Sequence, residues 1–279
     1  MSLCKSKIKT NIKKGIYFLL KKSLERAARE QRLCELRKKL KEIVPEITNQ
    51  YSSFKIDNPY LEINVRNLHA FQISLVNTII GEFEKPVIVD IGDSAGTHLQ
   101  YIIGLNPENK SINCLSVNMD QKAVDRITNK GLNAVCARAE ELQKYNVNAD
   151  MLLCFEMLEH LMNPCYFLHE LSSKTNAKYL IITVPYLKKS RIGLHHIRNT
   201  TENKVFAENT HIFELNPEDW KLLIKHSGWK VVQEKFYLQY PKRGILYFTK
   251  PLWKRFDFEG FYGLIVKKDD AWSAKYSDW

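Results

Sequence analysis

Val87-Ile88-Val89-Asp90-Ile91-Gly92-Asp93-Ser94-Ala95-Gly96, running on into Thr97-His98-Leu99-Gln100-Tyr101, joins a short apolar run to a turn of small residues. The run predicts a buried strand over Val87–Ile91, and the residues after the turn predict a helix over Thr97–Gly104. In such a strand–turn–helix the small residues let the backbone approach a ligand. The helix N-terminus behind them favours a carboxylate or a phosphate.

Outward from this turn, strands and helices alternate. Further strands are predicted at Asn113–Val117, Ala134–Ala137, Met151–Phe155, Tyr179–Val184, Lys230–Tyr237 and Tyr262–Val266. Helices are predicted at Gln121–Asn129, Pro164–Ser173 and Pro217–Ser227. This order implies an α/β, Rossmann-like fold: a doubly wound, mostly parallel seven-stranded sheet with right-handed crossovers. It occupies residues 61–279, including an aromatic-rich C-terminal segment, with Leu68–Ile80 as an amphipathic helix leading in.

Residues 1–60 read as a helical extension. Ile8, Ile12, Ile16, Leu19, Leu20 and Leu24 recur at helical spacing among lysines, and Leu33, Leu36, Leu40 and Ile43 repeat the pattern until Pro45 ends it. Thr48–Pro59 is polar and reads as a linker. Residues 1–50 hold 14 Lys or Arg against 5 Asp or Glu, so most of the formal charge of +11 belongs to the extension. A domain with little basic surface of its own argues against a nucleic-acid substrate. Three fates are open to the helices over 1–44: packing on the domain, lying on anionic lipid, or pairing with another copy as a homo-oligomer. The apolar run Ile16–Leu20 is too short for a membrane span or a signal-peptide core, and none of the six cysteines has C-x-x-C spacing. Cys114, Cys136 and Cys154 fall in predicted strands and read as buried thiols. Both features point to the cytoplasm, with peripheral contact at the inner membrane face if the helices bind lipid.

Gly92-Asp93-Ser94-Ala95-Gly96 also fits G-x-S-x-G, the nucleophile elbow of α/β-hydrolases. That elbow comes after several strands and an upstream oxyanion-hole loop, whereas this turn comes after the first strand and no such loop precedes it. The downstream segments decide between the two readings. Asp90, Gly92 and Gly96 match motif I of class I S-adenosylmethionine-dependent methyltransferases, with Ser94 in place of the middle glycine. Asp150-Met151-Leu152-Leu153-Cys154-Phe155-Glu156-Met157-Leu158-Glu159-His160-Leu161, with Asn163-Pro164, resembles the segment after strand four of small-molecule methyltransferases, including the O-methyltransferases of ubiquinone biosynthesis. His211-Ile212-Phe213, Pro217-Glu218-Asp219-Trp220 and Gly228-Trp229-Lys230-Val231 resemble their closing segment. The resemblance spans about residues 82–237.

It implies S-adenosylmethionine as cofactor, held by Asp90, Gly92, Asp93, Ser94 and Gly96, by Asn118 and Met119, by Arg138, Ala139 and Glu140, and by Phe155 and Glu156. Asn118 stands where the family has an acidic ribose ligand, and Arg138 where it has an adenine-binding Asp. In the ubiquinone relatives the residues matching Glu156, Glu159 and His160 are implied to bind a divalent metal. Other members carry the same residues without one. Methyl transfer to a hydroxyl needs a proton acceptor, for which His160, His195 and His196 are the candidates, while His211 reads as structural. The Leu187–Thr210 loop is basic, with Lys188, Lys189, Arg191, Arg198 and Lys204, which suggests an acceptor carrying phosphate or carboxylate. With the aromatic tail, it points to a small-molecule or glycan acceptor, on a lipid carrier or free.

Overall fold

The structure is a computed structural model and describes residues 2–51, 54–108, 111–139, 141, 144, 148–193, 210–239, 248 and 258–276. In chain order the elements are α1 (Ser2–Glu30), α2 (Cys34–Ile43), α3 (Pro59–Ile79), β1 (Val87–Ile91), α4 (Thr97–Leu105), β2 (Asn113–Asn118), α5 (Gln121–Thr128) and β3 (Ala134–Cys136). They continue with β4 (Met151–Phe155), α6 (Pro164–Lys174), β5 (Tyr179–Leu187), β6 (Arg191–Ile192), β7 (Phe213–Glu214), α7 (Pro217–His226), β8 (Trp229–Leu238), β9 (Phe258–Lys268) and α8 (Asp270–Ser273).

The seven-stranded sheet has the order β3-β2-β1-β4-β5-β9-β8. β1 to β5 are parallel, and β9 runs antiparallel between β5 and β8. This is the expected Rossmann-like architecture. Strand order reverses between β1 and β4, whose residues pair as Val89↔Leu152 and Asp90↔Leu153. The turns leaving these two strands therefore lie side by side, in the crevice where open α/β sheets bind ligands.

Several helix starts obey one local rule. α3, α6 and α7 each begin with Asn-Pro, at Asn58-Pro59, Asn163-Pro164 and Asn216-Pro217, and in each the Asn side chain accepts backbone N–H bonds of the first turn. α4 departs from it. Its N-cap is Gly96 in the left-handed region, with no side-chain cap. β5 runs beyond its predicted end at Val184, through Pro185. Pairing with β4 stops at Thr183, so the missing N–H of Pro185 breaks no ladder bond, and antiparallel pairing with β9 carries the strand on.

The described part of the extension is built into the domain. Ala27, Ala28, Leu33, Leu40 and Val44 share one buried cluster with Phe71 and Val76 of α3, Ile88 of β1 and Leu99 of α4. The Gln31 side chain donates to Leu238 O and accepts from Leu238 N, both at 2.8 Å, closing the end of edge strand β8. Arg66, buried on α3, donates to the carbonyls of Val44 (3.0 Å) and Pro45 (2.5 Å). The Thr48–Pro59 stretch is not a free linker, since Gln50 and Ile56 within it are buried. Cys114 and Cys154 are buried as expected, but Cys136 is exposed because β3 is the outer edge of the sheet. Among the described residues, no helix is long and apolar enough to cross a membrane.

If the extension belongs to the cooperative unit, Leu40→Ala lowers global stability by about 2–5 kcal/mol in urea unfolding monitored by circular dichroism. A separate extension would leave the main transition where it was.

Candidate functional site

The turn after β1 is shaped by backbone conformation. Gly92 and Gly96 have φ of 84° and 70°, and a Cβ on Gly96 would stand 2.7 Å from Leu132. Asp93 Oδ1 accepts from Ala95 N at 3.0 Å, while its buried Oδ2 has no hydrogen-bond partner. Ser94 Oγ donates to Gln50 O at 2.7 Å. A serine tied to a carbonyl has no base at its oxygen, so the hydrolase elbow finds no support here.

Asp90 lies under the turn, buried. His98 Nδ1 bonds its Oδ2 at 3.1 Å, and His98 Nε2 bonds Gln72 Oε1 at 3.1 Å. Gln72 in turn donates to Thr183 Oγ1 at 3.1 Å, and Thr183 hydrogen-bonds the Glu156 carboxyl. A line of buried polar side chains thus joins the turn after β1 to the turn after β4 by way of α3. Burial pushes the Asp90 carboxyl up to about 6 despite the His98 ring beside it. Burial works against the His98 imidazolium too, but Asp90 and Asp93 outweigh it and raise its pKa.

After β4 the chain makes a strained turn. Glu156 is a non-glycine residue at φ 50°, held there by Glu156 N→Thr183 O at 2.9 Å. Loss of water raises its pKa to about 8, and Oε1 has no partner. Glu159 is buried, and neither of its carboxylate oxygens has a hydrogen bond from another side chain. Burial and then the Glu156 charge push it well above the usual carboxylate range. His160 Nδ1 donates to Thr210 O at 2.9 Å, and its Nε2 stands 3.8 Å from Glu159 Oε1. The His211 ring meets that of His160 edge-on at 4.7 Å. It is fixed by Glu214 Oε1 at 2.8 Å from its Nδ1, with Arg191 Nε 2.5 Å from the other carboxylate oxygen. Burial raises the Glu214 pKa, but the bonds from His211 and Arg191 prevail and lower it.

The remaining predicted residues divide. Asn118 closes β2: its Nδ2 donates to Asp93 O (3.3 Å) and its Oδ1 accepts from Asp120 N (2.8 Å). Met119 beside it is 67% exposed. Ala139 and Phe155 are buried and Arg138 is exposed, while Glu140, His195 and His196 lie outside the described residues. Glu156 does not join Glu159 and His160 as the resemblance implied for a metal. Among the described residues the donor atoms that converge within 4.8 Å belong to Glu159, His160 and His211, or to Asp90, Asp93 and His98. Glu156 is engaged by Thr183 instead. The implied set does not fit a metal. His98, Gln72 and Thr183 were not anticipated. The signal for Gln72 was a polar residue amid the apolar run Leu68–Val76.

Residues 28–234 match the profile of a protein family described as a methyltransferase domain. No curated protein sequence matches. Among solved structures, a putative sarcosine dimethylglycine methyltransferase from Galdieria sulphuraria aligns with TM-score 0.53 at 12% identity, over 76% of this chain and 87% of that one. A Burkholderia thailandensis 1,6-didemethyltoxoflavin-N1-methyltransferase, with 1,6-didemethyltoxoflavin and S-adenosylhomocysteine bound, aligns with TM-score 0.50 at 12% identity, over 73% and 79%. The [4+2]-cyclase SpnF aligns with TM-score 0.53 at 13% identity, over 83% and 92%. At such identities the likeness is one of fold.

The chain belongs to this methyltransferase family. It is a class I enzyme whose cofactor is S-adenosylmethionine. The site fits that cofactor. The uncapped N-terminus of α4 offers N–H groups to a carboxylate, and exposed Met119 offers apolar surface for a base. Asp93 Oδ2, 3.8 Å from His98 Nδ1, and Glu156 Oε1 each lack a hydrogen bond, which an ammonium group would supply. The bound cofactor provides an electrophilic methyl group; the chain's part is to hold, orient and exclude water.

Because the Glu156 pKa is raised, the folded protein holds a proton there that the unfolded chain gives up near pH 4.5. Stability of the cofactor-free protein should therefore fall as pH rises from about 4.5 to 8. Glu156→Gln should flatten that fall and, at pH 9, add on the order of a few kcal/mol to the unfolding free energy. It should also weaken cofactor binding. Thermal melts across pH and calorimetric titration with S-adenosylhomocysteine would check both.

Proposed function

We propose that the enzyme O-methylates a sugar or lipid-linked intermediate of surface glycan synthesis, with His160 accepting the proton of the acceptor hydroxyl. One observation carries the catalytic part. Thr210 O can only accept, so His160 Nδ1 bears the hydrogen, and the neutral ring presents Nε2 as its basic atom. Glu159 Oε1, 3.8 Å from Nε2 and buried, would stabilise the imidazolium that results once it gives up its own proton. His211 closes the other side and is itself fixed by Glu214.

The acceptor class rests on what surrounds this cluster. Just beyond β5, Lys188, itself paired with Glu259 at 3.6 Å, stands exposed, and Met162, Tyr166 and Ile192 expose apolar or aromatic surface on the flanking segments. Such a rim suits a partly apolar molecule bearing acidic groups. Of the tail aromatics, Tyr237, Phe261 and Tyr262 belong to the core and do not enter this reading, while residues 249–257 lie outside the described residues. The lipid-linked form is supported by Tyr17, Phe18 and Leu19, which stand exposed on α1 next to Lys21 and Lys22. That placement favours work at the inner face of the cytoplasmic membrane.

His160→Ala should lower kcat roughly 100-fold or more against a hydroxylated acceptor, with affinity for S-adenosylhomocysteine unchanged. Full kcat in that variant would remove His160 from the chemistry, and turnover of amines but not of alcohols or glycans would remove the O-methyl reading. For the membrane part, the full chain should sediment with anionic phosphatidylglycerol vesicles at low salt and be released at high salt. Phe18→Ser should reduce the bound fraction, and a wild-type chain that stays in the supernatant at low salt would end it.

A further inference from the structure

The segment between α2 and α3 meets the glycine turn at two points. Ser94 Oγ donates to the main-chain carbonyl of Gln50 at 2.7 Å. Thr97 Oγ1, from the first residue of α4, donates to the Gln50 side-chain oxygen at 2.5 Å. The two hydroxyls stand on either side of Gly96, so one residue receives a bond from each flank of the turn. Gln50 and Thr97 are both buried. Gln50 N also donates to Ile47 O at 3.0 Å, and Ile47 is anchored in the core.

The next residue is Tyr51. Its ring stacks on Phe54 at 4.7 Å and packs on the main core cluster, and its hydroxyl lies within the electrostatic reach of Glu156 and Asp93. These are the carboxyls whose Oε1 and Oδ2 have no partner. Tyr51 follows directly on Gln50, so the two bonds that tie Gln50 to the glycine turn also fix where the Tyr51 backbone stands beside that turn.

We propose that Gln50 and Tyr51 are cofactor-site residues: Ser94 and Thr97 hold Gln50 so that Tyr51 walls the methionine end of the S-adenosylmethionine pocket. Ser94 then has a reason to replace the middle glycine of motif I. A glycine would meet the space requirement of the turn, but only a hydroxyl reaches the Gln50 carbonyl. Gln50, Tyr51 and Thr97 are positioning residues on this view, and their effect should fall on cofactor affinity and KM, with kcat little changed.

The test is calorimetric titration of the full-length protein with S-adenosylhomocysteine, beside thermal melts without ligand. Ser94→Gly, which restores the motif's own residue, and Thr97→Val should each weaken binding by about 3–10-fold, the loss of one hydrogen bond. Thr97→Ser, which keeps the hydroxyl, should bind like wild type. Tyr51→Phe should weaken binding to a similar degree at an unchanged melting temperature, and Tyr51→Ala by more. Wild-type affinity in both Ser94→Gly and Tyr51→Phe would overturn the proposal, as would lowered melting temperatures with unaltered affinity. A wild-type chain that bound no S-adenosylhomocysteine would overturn the cofactor assignment itself, and this inference with it.

Discussion

Parallel pairing of β1 with β4, at the point where the strand order reverses, is the constraint on which the site depends. It brings two turns together that are about sixty residues apart in sequence. One supplies glycine backbone and the bare end of α4; the other supplies Glu156, Glu159 and His160. Neither turn could hold a ligand between them if the register slipped by a residue, because Asp90 and Leu153 would then change faces. Asp150 guards that register by accepting from Val87 N at 2.8 Å where β1 starts.

The second layer of support comes from α3, and through it from the extension. Gln72 touches both sides of the crevice indirectly, by way of His98 on one side and Thr183 on the other. Its helix is in turn clamped by the chain before it, with Arg66 on the end of α2 and Asn67 Nδ2 donating to Leu24 O. The family profile begins at residue 28, inside α1, which agrees with treating this packing as part of the methyltransferase body. The basic extension is therefore a composite. Its described inner face is structural, and Tyr17 stacks on Tyr60 of α3, whereas Phe18 and Leu19 are exposed.

The sheet is legible because the central strands β4 and β5 carry long apolar runs and α6 and α7 their own start signals, Asn163-Pro164 and Asn216-Pro217. β9 was read as Tyr262–Val266 but is eleven residues long; its first half is maintained by pairing with β5 and β8, which no local pattern announces. The site was legible where one segment contains it, as in Asp90–Gly96 or Glu156–His160. It was not legible where distant segments complete it. Gln50 and Tyr51 sit in a polar stretch whose composition says linker, and only the tertiary bonds from Ser94 and Thr97 show otherwise. His211 read as structural, yet its contact with His160 places it in the wall of the site.

What the fold withholds at this crevice defines what it can bind. Glu156 is kept at a backbone angle that costs about 1–3 kcal/mol, and two further carboxylates are desolvated beside it with oxygens unmet. A core that only had to be stable would place leucine or methionine there. A ligand that brings a cation and hydrogen-bond donors relieves several of these penalties at once, so the same groups that destabilise the empty site favour the occupied one. S-adenosylmethionine carries two such charges, an ammonium and a sulfonium. Transfer of the methyl group removes one of them and with it part of the attraction. A buried carboxyl that gives up its proton to such a cation would favour the cofactor before reaction over the product after it.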